Sequence, residues 1–310
     1  VLGGGGARGF AHVGVLQVLE ENRIPAHAIA GTSMGAVVGS LYSSGRSASE
    51  IATIAEDIDW SMIFSDRIPR DRLPFRRKRD ERNDLVSFRL AFDDRGVVLP
   101  PGVLRGQDLF LVLAERLVSA RGVRDFDALP IPFRAVAANI ETGEAVPIAS
   151  GDIATAVFAS ISVPGALPPV EREGLLLVDG GIVDNVPIDT ARRMGVDVVI
   201  VVNVGTDLLA RDELRTFVNV LDQMQLLLGR AEVTRQLKSL GPRDVLITPD
   251  LEGLSVTTFD RAALGIARGH AARAAHVRRW RDRAGAGTLS HPRAAVLRHD
   301  AVVAGRKPVD

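Results

Sequence analysis

The sequence predicts an α/β layered fold, a mainly parallel central sheet with helices on both faces. Three observations carry it. Strand-like apolar runs alternate with segments whose apolar residues recur at helical spacing. One run, "VDVVIVVNV" (196–204), is apolar almost throughout and rich in valine, as suits a parallel strand buried on both faces. Three glycine turns, "GGGGARG", "GTSMG" and "DGG", fall at the carboxyl ends of predicted strands, where open α/β sheets place their sites.

Val1-Leu2 reads as the end of a buried strand, so the chain reads as a piece of something longer at its front. After the glycines, Phe10, Val13, Leu16 and Leu19 mark a helix. Pro25 separates it from a second strand, "AHAIAG". "GTSMG" then leads into a small-residue helix with Gly45 as its C-terminal stop. "SASE" (Ser47–Glu50) has capping-box spacing ahead of the next helix. Residues 66–82 are basic, carry two prolines and read as a surface loop. "LVSFRLAF" and "GVVLP" around "DDRG" predict a hairpin. "GQDLFLVLAERLVSA" is helical, and "PFRAVAANI" and "AVPIA" are strands about the turn "ETGE". Asp152 is placed to cap the helix "IATAVFAS". "LLLVDGG" is a strand, "VPIDTARRMG" a helix with Pro187 near its first turn, and "DVLITPD" another strand. A long helix is expected from about Asp212, and a last one ending near "RRWRDR". The expected domain runs over 1–283, with 284–310 a tail or the start of a further domain.

The 310 residues carry no net formal charge and 46% hydrophobic residues, which gives no global pull towards nucleic acid. With no cysteine, thiol catalysis, disulfides and thiolate metal sites are excluded. No apolar run approaches the ~20 residues of a membrane-spanning helix, and no signal peptide is visible.

Gly4, Gly6 and Gly9 meet the loose G-x-G-x-x-G pattern, but the ribose-binding acid that a dinucleotide fold needs is missing from the end of the second strand. Free N–H groups at a strand-to-helix turn serve an oxyanion equally well, helped by the helix dipole. Arg8 either adds charge there or pins the loop by pairing with a carboxylate. "GTSMG" is a G-x-S-x-G elbow in the strand–turn–helix context the motif requires, with Gly31 and Gly35 relieving crowding around Ser33. A serine hydroxyl needs a base. His270 is the one fair candidate for a triad. Asp179, at the end of an apolar strand and followed by Gly180, is better placed to act directly on Ser33, which makes a Ser–Asp dyad.

"GGGGARG", "GTSMG", "ASISVPGALPP" and "DGGIVDNVP" together resemble the patatin-like phospholipase family in bacterial form. The resemblance implies hydrolysis of lipid acyl esters without cofactor or metal. Ser33 would be the nucleophile and Asp179 its base. The amides of Gly4, Gly5 and Gly6 would form the oxyanion hole, and Arg8, Gly31, Gly35 and Gly180 would support them. Pro164 and Gly165 would lie in a loop near the site. "WSMIFSD", "PFRRKRDERNDLV", "LPPGVLRGQ" and "PRDVLITPDL" are similar to patatin-like passengers of outer-membrane autotransporters. That likeness implies a cell-envelope or secreted location, with the cytoplasm as the alternative. Phospholipid and a membrane surface are the expected partners, with a homo-oligomer open and no nucleic acid. Arg76, Arg77 and Arg79 are candidates for docking on anionic membranes. A non-catalytic lipid-binding module, a Ser–His–Asp esterase and a nucleotide-dependent oxidoreductase stand as rival readings.

Overall fold

The computed structural model describes residues 1–63, 91–93, 96–98, 102 and 104–272. A short 3-10 turn, Gly6–Phe10, leads into α1 (Ala11–Glu21). Then come β1 (Ile29–Thr32), α2 (Met34–Ser43), α3 (Ala48–Asp57) and α4 (Trp60–Ile63). The strands β2 (Ala91–Asp93) and β3 (Gly96–Val98) pair antiparallel, as the hairpin reading expects. The helix α5 (Gln107–Arg116) precedes β4 (Phe133–Asn139) and β5 (Ala145–Ile148). After α6 (Ile153–Ile161) come β6 (Val170–Arg172) and β7 (Leu175–Asp179). The chain continues through α7 (Ile188–Arg193), β8 (Ile200–Val202), α8 (Phe217–Lys238), β9 (Val245–Ile247) and α9 (Ala262–Ala271).

Local chemistry sets the boundaries. Ser47 and Glu50 form the full capping box that starts α3. The Asp152 side chain accepts from the Thr155 N–H to start α6. Gly45 follows α2 at φ +95°, a left-handed position that stops the helix without a Cβ penalty.

Leu2 bridges in parallel to Gly31 of β1 on one side and to Val202 of β8 on the other. β8 pairs in parallel with β9, and β1 with β4. The expectation of a parallel sheet is met there and gives way beyond it: β5 and β7 both run antiparallel to β4, and β6 runs antiparallel to β7. The sheet is therefore mixed: hairpin turns join β4 to β5 and β6 to β7, and β7 enters beside β4 in the opposite direction after α6.

Helices cover both faces, as expected. Side chains alternate across a strand, and here they sort into separate cores. Leu2, Val202, Val245 and Ile247 join the large core with α1, α2, α3, α5 and α6. Val1, Val201 and Leu246 belong to a smaller core with Ile188 of α7 and Val233 and Leu237 of α8.

The register of β4 positions the site. Phe133–Val136 pairs with β1, and Ala137–Asn139 pairs with β7. β5 pairs with Ala135–Ala138 and so takes the other edge. β1 and β7 therefore lie end to end along one edge of β4 and point at each other. Thr32 pairs with Val136 and Asp179 with Ala137, adjacent positions. Ser33 and Asp179 meet where the two strands run out.

Candidate active site

Ser33 sits at φ 53° and ψ −125° between β1 and α2, a left-handed conformation rare for a residue with a Cβ. Close packing enforces the bend: a Cβ on Gly31 would run into the backbone of Gly35, and one on Gly35 into the Leu2 carbonyl. The Ser33 N–H donates to Ser160 Oγ at 2.9 Å, and that hydroxyl donates to the Val136 carbonyl at 2.6 Å. Ser33 Oγ donates to Asp179 Oδ2 at 2.6 Å.

Asp179 is fully buried, and its Oδ1 accepts the Gly181 N–H at 2.7 Å. Its own N–H donates to the Ser162 carbonyl at 2.9 Å. Burial pushes its carboxyl up to about 6, opposed by the hydrogen bonds from Ser33 and Gly181. Gly180 leaves the chain room against the Val136 carbonyl and the Thr32 methyl group.

The glycine loop stands against Ser33: a Cβ on Gly4 would lie 3.1 Å from Ser33 Cβ. The Gly4 N–H is already committed, donating to the Asn185 carbonyl at 3.1 Å. That corrects the expected oxyanion trio, because an amide bonded inside the fold is not free for a substrate oxygen. Asn185 also donates from Nδ2 to the Gly4 carbonyl at 3.2 Å. Among the described residues, no acceptor takes the N–H of Gly5 or Gly6. His12 supports the loop from α1: it is buried, with Nε2 2.7 Å from the Gly3 carbonyl. Burial holds its ring down to about 4, so the neutral ring donates Nε2–H.

Arg8 pins the loop, through carbonyls rather than the carboxylate expected. Nε donates to Val204, Nη1 to Leu251 and Leu254, and Nη2 to Gly205, at 2.8 to 3.1 Å. His270, the triad candidate, lies at the end of α9 with Nε2 2.9 Å from Glu21 Oε1. It is engaged away from Ser33. Arg76, Arg77 and Arg79 lie outside the described residues. Pro164 and Gly165 form the turn of a loop whose Val163, Ala166 and Leu167 reach the site's cavity.

Ser160 is the residue that sequence reading missed. Its signal was present in "ASISVPG", a serine inside an otherwise apolar buried helix, which needs an acceptor or donor nearby. Ser160 and Ser162, at the end of α6, hold the backbones of both Ser33 and Asp179.

Ser33, Asp179 and the glycine loop border one cavity of about 910 Å³, a size suited to a substantial apolar ligand. One part runs between α2, α3 and α5 and is lined by Val37, Val38, Leu41, Ile51, Leu109 and Leu113. Phe10, Trp60 and Phe259 form an aromatic cluster in its wall, with ring centroids 5.1 to 6.0 Å apart. The polar part includes Asn203, Thr206, Asp222, Gln225 and Arg230. Among the described residues, no group of His, Asp and Glu side chains has the arrangement of a metal site.

A serine on a strained strand–helix elbow, hydrogen-bonded to a buried carboxylate and backed by a glycine loop, has the arrangement that nucleophilic catalysis requires on an α/β scaffold. The model of the patatin-like phospholipase family matches residues 1–192, and the chain belongs to that family. An uncharacterised NTE-family protein of Mycobacterium tuberculosis is 34% identical over 208 residues, 65% of this chain and 47% of that protein. Patatin-like phospholipase domain-containing protein 7 of Rattus norvegicus is 33% identical over 215 residues, 69% of this chain and 14% of the rat protein. Lysophospholipase NTE1 of Cryptococcus neoformans is 35% identical over 208 residues, 66% of this chain and 11% of the fungal protein. The chain thus spans about half the length of the mycobacterial relative and far less of the others.

Proposed function

We propose that the chain hydrolyses fatty-acyl esters of phospholipids or lysophospholipids through an acyl-enzyme on Ser33. The 2.6 Å hydrogen bond from Ser33 Oγ to the buried Asp179 carboxylate is the observation that carries this reading. Asp179 takes the hydroxyl proton as Oγ bonds to the ester carbonyl carbon. The carbonyl oxygen becomes an oxyanion, and the unpaired amides of Gly5 and Gly6 stabilise it. The bond to the alcohol oxygen then breaks, and Asp179 returns the proton to the leaving lipid alcohol. Water, deprotonated by the same carboxylate, attacks the acyl-enzyme. The fatty acid leaves and Ser33 recovers its proton.

The apolar arm of the cavity holds the acyl chain. The family description and the lysophospholipase name of the fungal relative support a lipid ester as substrate. In this reading a membrane surface delivers that substrate, and the sequence segments similar to exported passengers support a cell-envelope location, with the cytoplasm as the alternative. No described helix is long and apolar enough to cross a membrane.

The test is product release from phosphatidylcholine and lysophosphatidylcholine, followed by mass spectrometry. Fatty acid should appear with the parent protein and be absent with Ser33→Ala. Vesicle binding with no fatty acid from either lipid would replace the hydrolase reading with that of a lipid-binding module.

A further inference from the structure

The apolar arm of the cavity ends on a charge. Along α2 its wall runs through Val37, Val38 and Leu41, and Leu41 stands about 12 Å up the helix axis from Ser33. A second wall comes from α5, where Leu113 and Arg116 share a helix face. Arg46, just past the end of α2, donates from Nε and Nη2 to the Arg116 carbonyl at 3.3 and 2.9 Å. That bond ties the carboxyl ends of α2 and α5 together. Arg116 therefore belongs to the end of the slot remote from Ser33.

The Arg116 guanidinium has no hydrogen-bond or ion-pair partner among the described residues, and its Nε is buried without an acceptor. The usual duty of an arginine in the last turn of a helix, capping the terminal carbonyls, is here performed by Arg46. Arg8, in the glycine loop beside Ser33, is bound to four carbonyls. A half-buried guanidinium with an unfilled Nε–H, opening on an apolar slot, matches one ligand chemistry: an alkyl chain that ends in a carboxylate.

We propose that Arg116 forms a carboxylate subsite at the far end of the slot, holding an alkyl chain along α2 with its other end towards Ser33. The placement of the chain rests on the acyl-hydrolase reading. Two sources share this chemistry. A free fatty acid bound this way would compete with substrate. An ester whose acyl chain carries a second carboxylate at its far end would be a favoured substrate.

Both sources are tested with Arg116→Met, which keeps the stem, and Arg116→Lys, which keeps a charge without the fork. Decanoate and decanol are titrated into Ser33→Ala protein by calorimetry, so that no hydrolysis is needed. Decanoate is expected to bind at least about tenfold more tightly than decanol. Arg116→Met should abolish that preference, and Arg116→Lys should keep part of it. With Ser33 intact, the p-nitrophenyl half-ester of decanedioic acid is compared with p-nitrophenyl decanoate. Its KM relative to the decanoate ester should rise about tenfold in Arg116→Met. A calorimetric preference that Arg116→Met abolishes, with the KM ratio unchanged, assigns the subsite to free fatty acid; a KM effect assigns it to the doubly carboxylated chain; and a preference that survives Arg116→Met overturns the proposal. Equal binding of decanoate and decanol, together with an unchanged KM ratio, overturns the proposal. If the parent protein cleaves neither ester, the hydrolase reading fails, and the calorimetry still decides the subsite.

Discussion

At the scale of single residues, the Ser33–Asp179 pair was legible because each residue sits in a motif with a steric cause. Ser33 lies between glycines that must allow a close turn, and Asp179 ends an apolar strand before two more. Ser160 was not legible. Its role comes from a hydrogen bond to a residue 127 positions away, and no spacing rule encodes such a contact. Ser160→Ala should leave the Ser33 N–H and the Val136 carbonyl unsatisfied. A stability loss of about 1–3 kcal/mol is expected in urea unfolding, with kcat lowered about tenfold and KM little changed. The rate should also depend on pH through Asp179, which acts only when ionised. With its carboxyl raised to about 6, kcat/KM should fall about tenfold per pH unit below that value. Asp184 titrates nearby, raised to about 7 by burial and by Glu232 and Asp189, so the assignment needs a control. A limb that persists in Asp184→Asn belongs to Asp179.

At the scale of elements, strands and helices were readable from periodicity, caps and turn residues, but strand direction was not. An apolar run of β7 type looks the same whichever way it pairs. Its direction is set by its antiparallel pairing with β4, while the hairpin turned at Glu173 and Gly174, both at positive φ, adds β6 on its outer edge. That antiparallel pairing matters for the chemistry: it brings the carboxyl end of β7 to face the carboxyl end of β1. A β7 parallel to β4 would carry Asp179 away from Ser33. The helix α6 then fixes both strand ends, so its own start should be felt in stability. Asp152→Ala removes the cap on Thr155 and should cost about 1 kcal/mol in thermal unfolding. Its effect on kcat should be small if α6 re-forms from the second turn.

At the scale of the whole molecule, the site strains the fold that carries it. A carboxyl raised by burial binds its proton more tightly in the folded chain than in the unfolded one. Its stabilising contribution is complete below about pH 4 and is lost as pH rises through about 6. Asp179→Asn should therefore gain stability over the parent as pH rises across that window, by roughly 3 kcal/mol for a shift of about two units. Melting curves from pH 4 to 8 test the sign, and a constant difference would contradict it. In the proposed mechanism the same burial activates the pair, since an ionised Asp179 without solvent has Ser33 and Gly181 as its hydrogen-bond donors. The most direct test of that account is active-site labelling with a fluorophosphonate, read by intact mass and peptide mapping, with Asp179→Asn alongside. One adduct is expected, on Ser33, formed at least about a hundredfold more slowly in Asp179→Asn. An adduct elsewhere, or equal rates in the two proteins, would contradict it.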